Sequence, residues 1–109
     1  MIGILPGEEA ALANEFVDIA IPSGMGYARN VLIVRTAAAV IAVGGGAGTL
    51  SEIAHAWQLN RPIVALDTDG FSGELAGRAL DDRARPPIAK ASTARAAVEL
   101  ALEGLRAVC

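Results

Sequence analysis

One stretch limits what this chain can fold into more than any other: Ala39 to Leu59, AVIAVGGGAGTLSEIAHAWQL. The run Ala39-Val40-Ile41-Ala42-Val43 is apolar and partly β-branched without alternation, the pattern of a short strand covered on both faces of a parallel sheet. Gly44, Gly45, Gly46 and Gly48 then let the backbone turn sharply and bring bare N–H groups against a ligand. Thr49 is expected to open a helix whose apolar positions Leu50, Ile53, Ala54 and Trp57 fall three or four apart. The first turn of such a helix leaves its N–H groups unpaired and carries partial positive charge from the summed peptide dipoles, so strand, glycine turn and helix together make an anion cradle. Glu52 lies one turn inside that helix. A carboxylate beside a phosphate is repulsive, so its presence points to work on a polar or cationic part of the ligand beyond the phosphate.

The rest of the chain reads as scaffold. With 109 residues it is long enough for one domain, 1–109, with a modest core. The mean hydropathy of +0.45 comes largely from alanine, since aromatics make up only 4%. The longest uncharged run, Thr36 to Ser51, is glycine-broken and shorter than the roughly 20 residues of a membrane span. No basic region precedes the apolar start Met1-Ile2-Gly3-Ile4-Leu5, so a cytoplasmic protein without a membrane partner is expected. A net charge of -3 without a basic cluster argues against nucleic acid as a partner. No residue set suggests a metal site, and the lone Cys109 carries no implied role.

In order, Met1 to Leu5 reads as a buried strand ending at Pro6-Gly7, Glu8 to Asn14 as a short helix, and Phe16 to Ile21 as a second strand. Tyr27 to Ala37 is read as a helix, because a parallel sheet needs a crossover before Ala39. Ile63 to Leu66 is the next buried strand, with Asp67 at its carboxyl end. Glu74 to Arg85 offers a short helix within a solvated charged surface that includes Asp81. Ile88-Ala89-Lys90 is an edge strand, and Ser92 or Thr93 caps a last helix with Val98, Ala101, Leu102 and Leu105 on one face. The alternation gives an α/β class, Rossmann-like, with a mostly parallel open sheet flanked by helices. His55, Trp57 and Tyr27 are read as packing or surface residues.

Three readings of the glycine loop compete. A Walker-type loop needs Lys after its last glycine, and Gly48 is followed by Thr49. A dinucleotide fingerprint fits Gly46-Ala47-Gly48-Thr49-Leu50-Ser51, with Asp67 about twenty residues on where a ribose-binding acid belongs; NAD(P) would then be the ligand. The third reading uses Gly44 to Glu52 together with Gly24-Met25-Gly26-Tyr27-Ala28-Arg29-Asn30.

These two segments resemble the LOG-like family of Rossmann-type nucleotide-binding proteins, and within it the branch that includes molybdenum cofactor carrier proteins. The resemblance rests on a G-G-x-G-T-x-x-E loop, Gly45 to Glu52, and an upstream M-x-x-x-R, Met25 to Arg29. It implies that Gly44, Gly45, Gly46, Gly48 and Thr49, with Gly24, Gly26 and Asn30, hold a phosphate-containing ligand, a nucleotide or the molybdenum cofactor, with no other cofactor required. It also implies that active members cleave nucleoside 5'-monophosphates at the N-glycosidic bond, with Glu52 and Arg29 as the catalytic pair. Val43-Gly44 and Asn30 depart from the hydrolase pattern toward the carrier branch, which favours binding over turnover. The family's first strand, helix and strand, with their own glycine loop, have no counterpart here, so the chain reads as truncated relative to the family. An exposed apolar surface follows, and with it a homo-oligomer.

Overall fold

The computed structural model describes residues Met1 to Val108; Cys109 lies outside the described residues. Five strands and four α-helices alternate: β1 (Ile2–Leu5), β2 (Ile19–Pro22), α1 (Arg29–Thr36), β3 (Val40–Ala42), α2 (Ala47–Gln58), β4 (Ile63–Leu66), α3 (Phe71–Leu75), β5 (Ala89–Ala91) and α4 (Ala94–Val108). Every strand pairing is parallel, in two sheets of order β1-β2 and β3-β4-β5. The fold is therefore Rossmann-like α/β, parallel strands flanked by helices.

β4 shows why this arrangement holds. It is the middle strand of its sheet, so both faces are covered, and successive side chains alternate between two layers. Ile63 and Ala65 pack with Val34, Ile53, Ala56, Trp57 and Ile88 beneath α1 and α2, while Val64 packs with Ala91, Ala97 and Ala101 beneath α4. α2 ends in a Schellman closure: the Asn60 N–H donates to the Trp57 carbonyl and the Arg61 N–H to the Ala56 carbonyl. The closure needs one left-handed residue, and Asn60 supplies it at φ 56°.

Several expectations shift in the folded chain. The strand at Ile2–Leu5 forms but is not buried: Met1 and Ile2 are exposed. The expected helix at Glu8 to Asn14 shrinks to a single 3₁₀ turn, Ala10–Leu12. β2 starts at Ile19 rather than Phe16, because the Asn14 side chain accepts the Phe16 N–H and its carbonyl the Val17 N–H, which folds that segment into a turn. The helix expected from Tyr27 opens as a 3₁₀ turn, Gly26–Ala28, and becomes α-helical at Arg29. α2 opens at Ala47, two residues before Thr49, with Gly46 as its N-cap residue.

The charged stretch 74–85 holds no helix beyond Leu75. The α3 helix lies earlier, and the chain then turns at Gly77, whose N–H donates to the Ile88 carbonyl at 2.7 Å. On α4 the buried stripe is Ala97 and Ala101, with Val98 and Leu102 exposed. Small residues let this helix lie close on the sheet, and Gly104 allows the approach of Pro62, against which an added Cβ would stand at 2.7 Å. The Thr93 hydroxyl accepts the Ala96 N–H at 3.1 Å and so provides the expected cap. No helix among the described residues is long and apolar enough to cross a membrane.

Candidate functional site

The glycine loop leaves the carboxyl end of β3 and is pinned from one side only. The Gly44 N–H donates to the Ser72 hydroxyl at 2.7 Å, the Ser72 N–H to the Gly44 carbonyl at 3.1 Å, and the Phe71 N–H to the Gly45 carbonyl at 3.0 Å. Ser72 is fully buried and also meets the Thr68 hydroxyl at 3.1 Å. The α3 segment approaches closely because Gly70 has no side chain: a Cβ there would stand 2.7 Å from the Gly45 carbonyl oxygen. Gly45 is equally constrained. Its φ is +85°, and a Cβ would stand 1.8 Å from the Thr49 hydroxyl, so the Thr49 side chain occupies the space a larger residue would need.

On the opposite side the loop is open. No backbone or side-chain acceptor among the described residues takes the N–H groups of Gly45, Gly46, Ala47, Gly48 or Thr49; the first helical bond here is from the Leu50 N–H to the Gly46 carbonyl at 3.0 Å. Five successive N–H groups at the start of this twelve-residue helix are thus left as free donors.

Asn30, the second residue of α1, is buried to 6% exposure. Its amide donates to the Ser51 hydroxyl at 2.9 Å and lies 3.5 Å from the Gly48 carbonyl, and Ser51 in turn donates to that carbonyl at 2.9 Å. Asn30 is thus occupied in holding α1 against the first turn of α2. Arg29 lies beside it, 3.5 Å from the Asn30 side-chain oxygen, and its Nε is buried without an acceptor among the described residues. The Arg29 charge also reaches Glu52. Partial burial pushes the Glu52 carboxyl above its ordinary value of 4.5, and the nearby guanidinium opposes that rise. Glu52 and Arg29 are therefore within electrostatic reach of each other where α1 packs on α2, without a salt bridge between them among the described residues.

Gly24 and Gly26 belong to a neighbouring turn. Their N–H groups donate to the carbonyls of Gly7 and Pro6, both at 2.8 Å, zipping the loop after β2 to the loop after β1. Tyr27, read from the sequence as a packing or subunit-interface residue, is 92% exposed in the single chain. It flanks a groove shared with Asn30, Ala47, Gly48, Ser51 and His55, next to the free donors. Trp57 is a core residue at 3% exposure, and its indole N–H donates to the Asp81 carboxylate at 2.8 Å, which with the Arg83 N–H holds that acid below its usual range. Asp81, read as plain surface, therefore has a structural task that sequence spacing could not reveal across 24 positions. Asp67 stands exposed beyond β4, with Lys90 3.4 Å away.

Comparison with known proteins finds a family and several relatives. A profile of the SLOG cluster4 family matches residues 1–98. An uncharacterized protein of Archaeoglobus fulgidus is 47% identical over 66 residues, 61% of this chain and 43% of its own. The X-ray structure of TM1055, a structural-genomics target, superposes with a TM-score of 0.83 at 32% identity, over 94% of this chain and 63% of that one. The molybdenum cofactor binding protein of the phototrophic bacterium Rippkaea orientalis superposes with a TM-score of 0.78 at 37% identity, over 94% and 60%. The chain thus spans less than two thirds of the length of each of these relatives.

Proposed function

The chain belongs to the SLOG cluster4 family, and on that footing we propose that it binds a phosphate-bearing small molecule, a nucleotide or the molybdenum cofactor, as a carrier rather than a catalyst. The observation that carries this reading is the row of five unclaimed N–H groups from Gly45 to Thr49. A phosphate has the lone pairs to accept them, and a helix start adds favourable charge worth up to about 2 kcal/mol when partly buried. Gly45, Gly46, Gly48 and Thr49 are the phosphate residues. Gly44 has a different role, since its N–H is spent on Ser72; it sets the curvature of the loop. Gly24 and Gly26 shape the adjoining turn, and Asn30 fixes the helix start by its bonds to Ser51 and Gly48. The molybdenum cofactor, if it is the ligand, would rest its phosphate on these same donors as cargo.

One observation favours a second reading, a nucleoside 5'-monophosphate phosphoribohydrolase. Glu52 lies one turn inside the helix that follows the loop, within electrostatic reach of Arg29, and a carboxylate there would stabilise the positive charge that develops on ribose as an N-glycosidic bond breaks. The dinucleotide reading is weaker, because Asp67 is drawn to Lys90. We also propose that the chain works in association with a further copy, which would cover the apolar side chains of its first thirty residues.

Amide NMR titration with inorganic phosphate and with AMP tests the main reading. We expect shifts centred on Gly45 to Thr49, lost in Gly45→Ala, whose new Cβ collides with Thr49, and retained in Gly46→Ala, where a Cβ meets nothing within 4 Å. The absence of shifts at the loop with either ligand would sink it. Free base released from AMP at about 1 per second or faster, and abolished in Glu52→Gln, would favour the hydrolase instead.

A further inference from the structure

Away from the glycine loop, at the amino end of β4, the chain forms a partly open cavity of about 150 Å³. Arg61 and Arg85 line it together with Trp57, Pro62, Pro86 and Leu100. Its construction follows from the local sequence. The Schellman closure at Asn60 fixes the course of Arg61, whose N–H is tied to the Ala56 carbonyl at 3.0 Å. Pro62 then directs the chain into β4 and contacts Gly104 on α4. On the other side Pro86 and Pro87 offer no N–H groups, so that wall is apolar as well.

Two cations in an apolar chamber call for an explanation. The Arg61 Nε and the Arg85 Nη1 are shielded from water and have no acceptor among the described residues. No carboxylate among those residues comes within 4 Å of either guanidinium. Asp81 feels the charge of Arg85, but its oxygens are engaged by the Trp57 indole, the Arg83 N–H and the Arg83 side chain. Each arginine therefore carries donor capacity that the chain does not use, and leaving such capacity buried is unfavourable.

We propose that this cavity is a second binding site, for a small molecule with a single carboxylate on an apolar body. The carboxylate is the group that planar guanidinium donors match best, in a bidentate fashion. The proline, tryptophan and leucine walls suit a dry hydrocarbon body and disfavour a strongly hydrated inorganic anion. The volume sets the size: an apolar cavity of about 150 Å³ accommodates a benzene ring. The site shares no residue with the glycine loop, so it stands or falls independently of the phosphate reading.

Trp57 is the only tryptophan in the chain, and its indole N–H gives a single resonance inside the site. The experiment is an NMR titration of the intact chain with benzoate, with benzamide as the neutral isostere, and with inorganic phosphate. Benzoate should produce saturable shifts at the Trp57 indole and at Arg61, Val64, Leu100 and Gly104, with Gly45 to Thr49 unmoved. Benzamide should bind about tenfold or more weakly, because it lacks the charge that the arginines accept. The double variant Arg61→Gln, Arg85→Gln should lose the preference for benzoate. Phosphate should leave the cavity resonances in place. No saturable shift with benzoate, equal affinity for benzamide, or shifts confined to the glycine loop would each overturn the proposal. Should the double variant not fold, the comparison of benzoate with benzamide on the unaltered chain decides the matter.

Discussion

The two parallel sheets are built from the same kind of unit and end in different states. β4 in the three-stranded sheet is buried along most of its length, and the clusters on its two faces contain all of the buried apolar side chains from Val34 onward. The β1-β2 pair has comparable sequences, Ile-Gly-Ile-Leu and Ile-Ala-Ile-Pro, yet no residue before Asn30 is buried. Phe16 is 68% exposed and Ile19 57%. The difference is cover. β4 has strands on both sides and helices on both faces, whereas among the described residues β1 and β2 pair only with each other, and α1 is the α-helix that packs on β1. β-rich composition makes a strand; a second layer makes a core.

The largest expected effect breaks the comparison open energetically. Ile53→Ala removes a fully buried side chain from the cluster beneath α2 and should cost about 2–5 kcal/mol in denaturant unfolding. Ile19→Ala, chemically the same change, should cost within about 0.5 kcal/mol if the pair is as open in solution as it is in the single chain. Similar losses at both positions would mean that β2 is covered.

Association is the next measurement, and it decides between those outcomes. Sedimentation at micromolar concentration should show a species larger than one chain, and replacing Phe16 and Ile19 with serine should shift it toward the monomer. A monodisperse monomer would refute the association, and would leave the first thirty residues as an uncovered apolar surface.

The smallest effect lies at the seam between the two regions, where the charge of Arg29 on α1 reaches Glu52 on α2. The Glu52 carboxyl is raised in the folded chain, so folding favours its protonated form. Its contribution to stability is fully present below the unfolded value of 4.5 and is lost as pH rises through the higher folded value. Glu52→Gln should therefore raise the thermal midpoint slightly at neutral pH, and the gain should fade on acidification below about 4.5. A gain that persists in acid would assign the effect to something other than the charge.

Much of the site was legible before any coordinates. A glycine run between an apolar strand and an amphipathic helix dictates an open helix start wherever it occurs, because the unpaired N–H groups are a property of the backbone. Glu52 stood out because a carboxylate is costly there, and Arg29 was carried by the resemblance of its motif. What could not be read was how individual polar groups are spent. The Gly44 N–H is engaged by Ser72, and the Asn30 amide by Ser51 and Gly48. Both partners lie about 20 or more positions away, and no local pattern encodes such a meeting.

The alternation of strands and helices, the parallel sheet and the position of the open helix start after the glycine run were determined by the sequence alone, since periodicity, glycine and proline act over a few residues. The tertiary structure decided which apolar residues became core. On α4 it chose Ala97 and Ala101 over Val98 and Leu102, because close packing on the sheet rewards small side chains. It left Tyr27 outside and placed Trp57 against Asp81. It also brought Arg61, just before β4, and Arg85, between α3 and β5, to a single cavity. Burial and pairing are properties of a surface shared by distant segments, and that surface exists only after the chain has closed on itself.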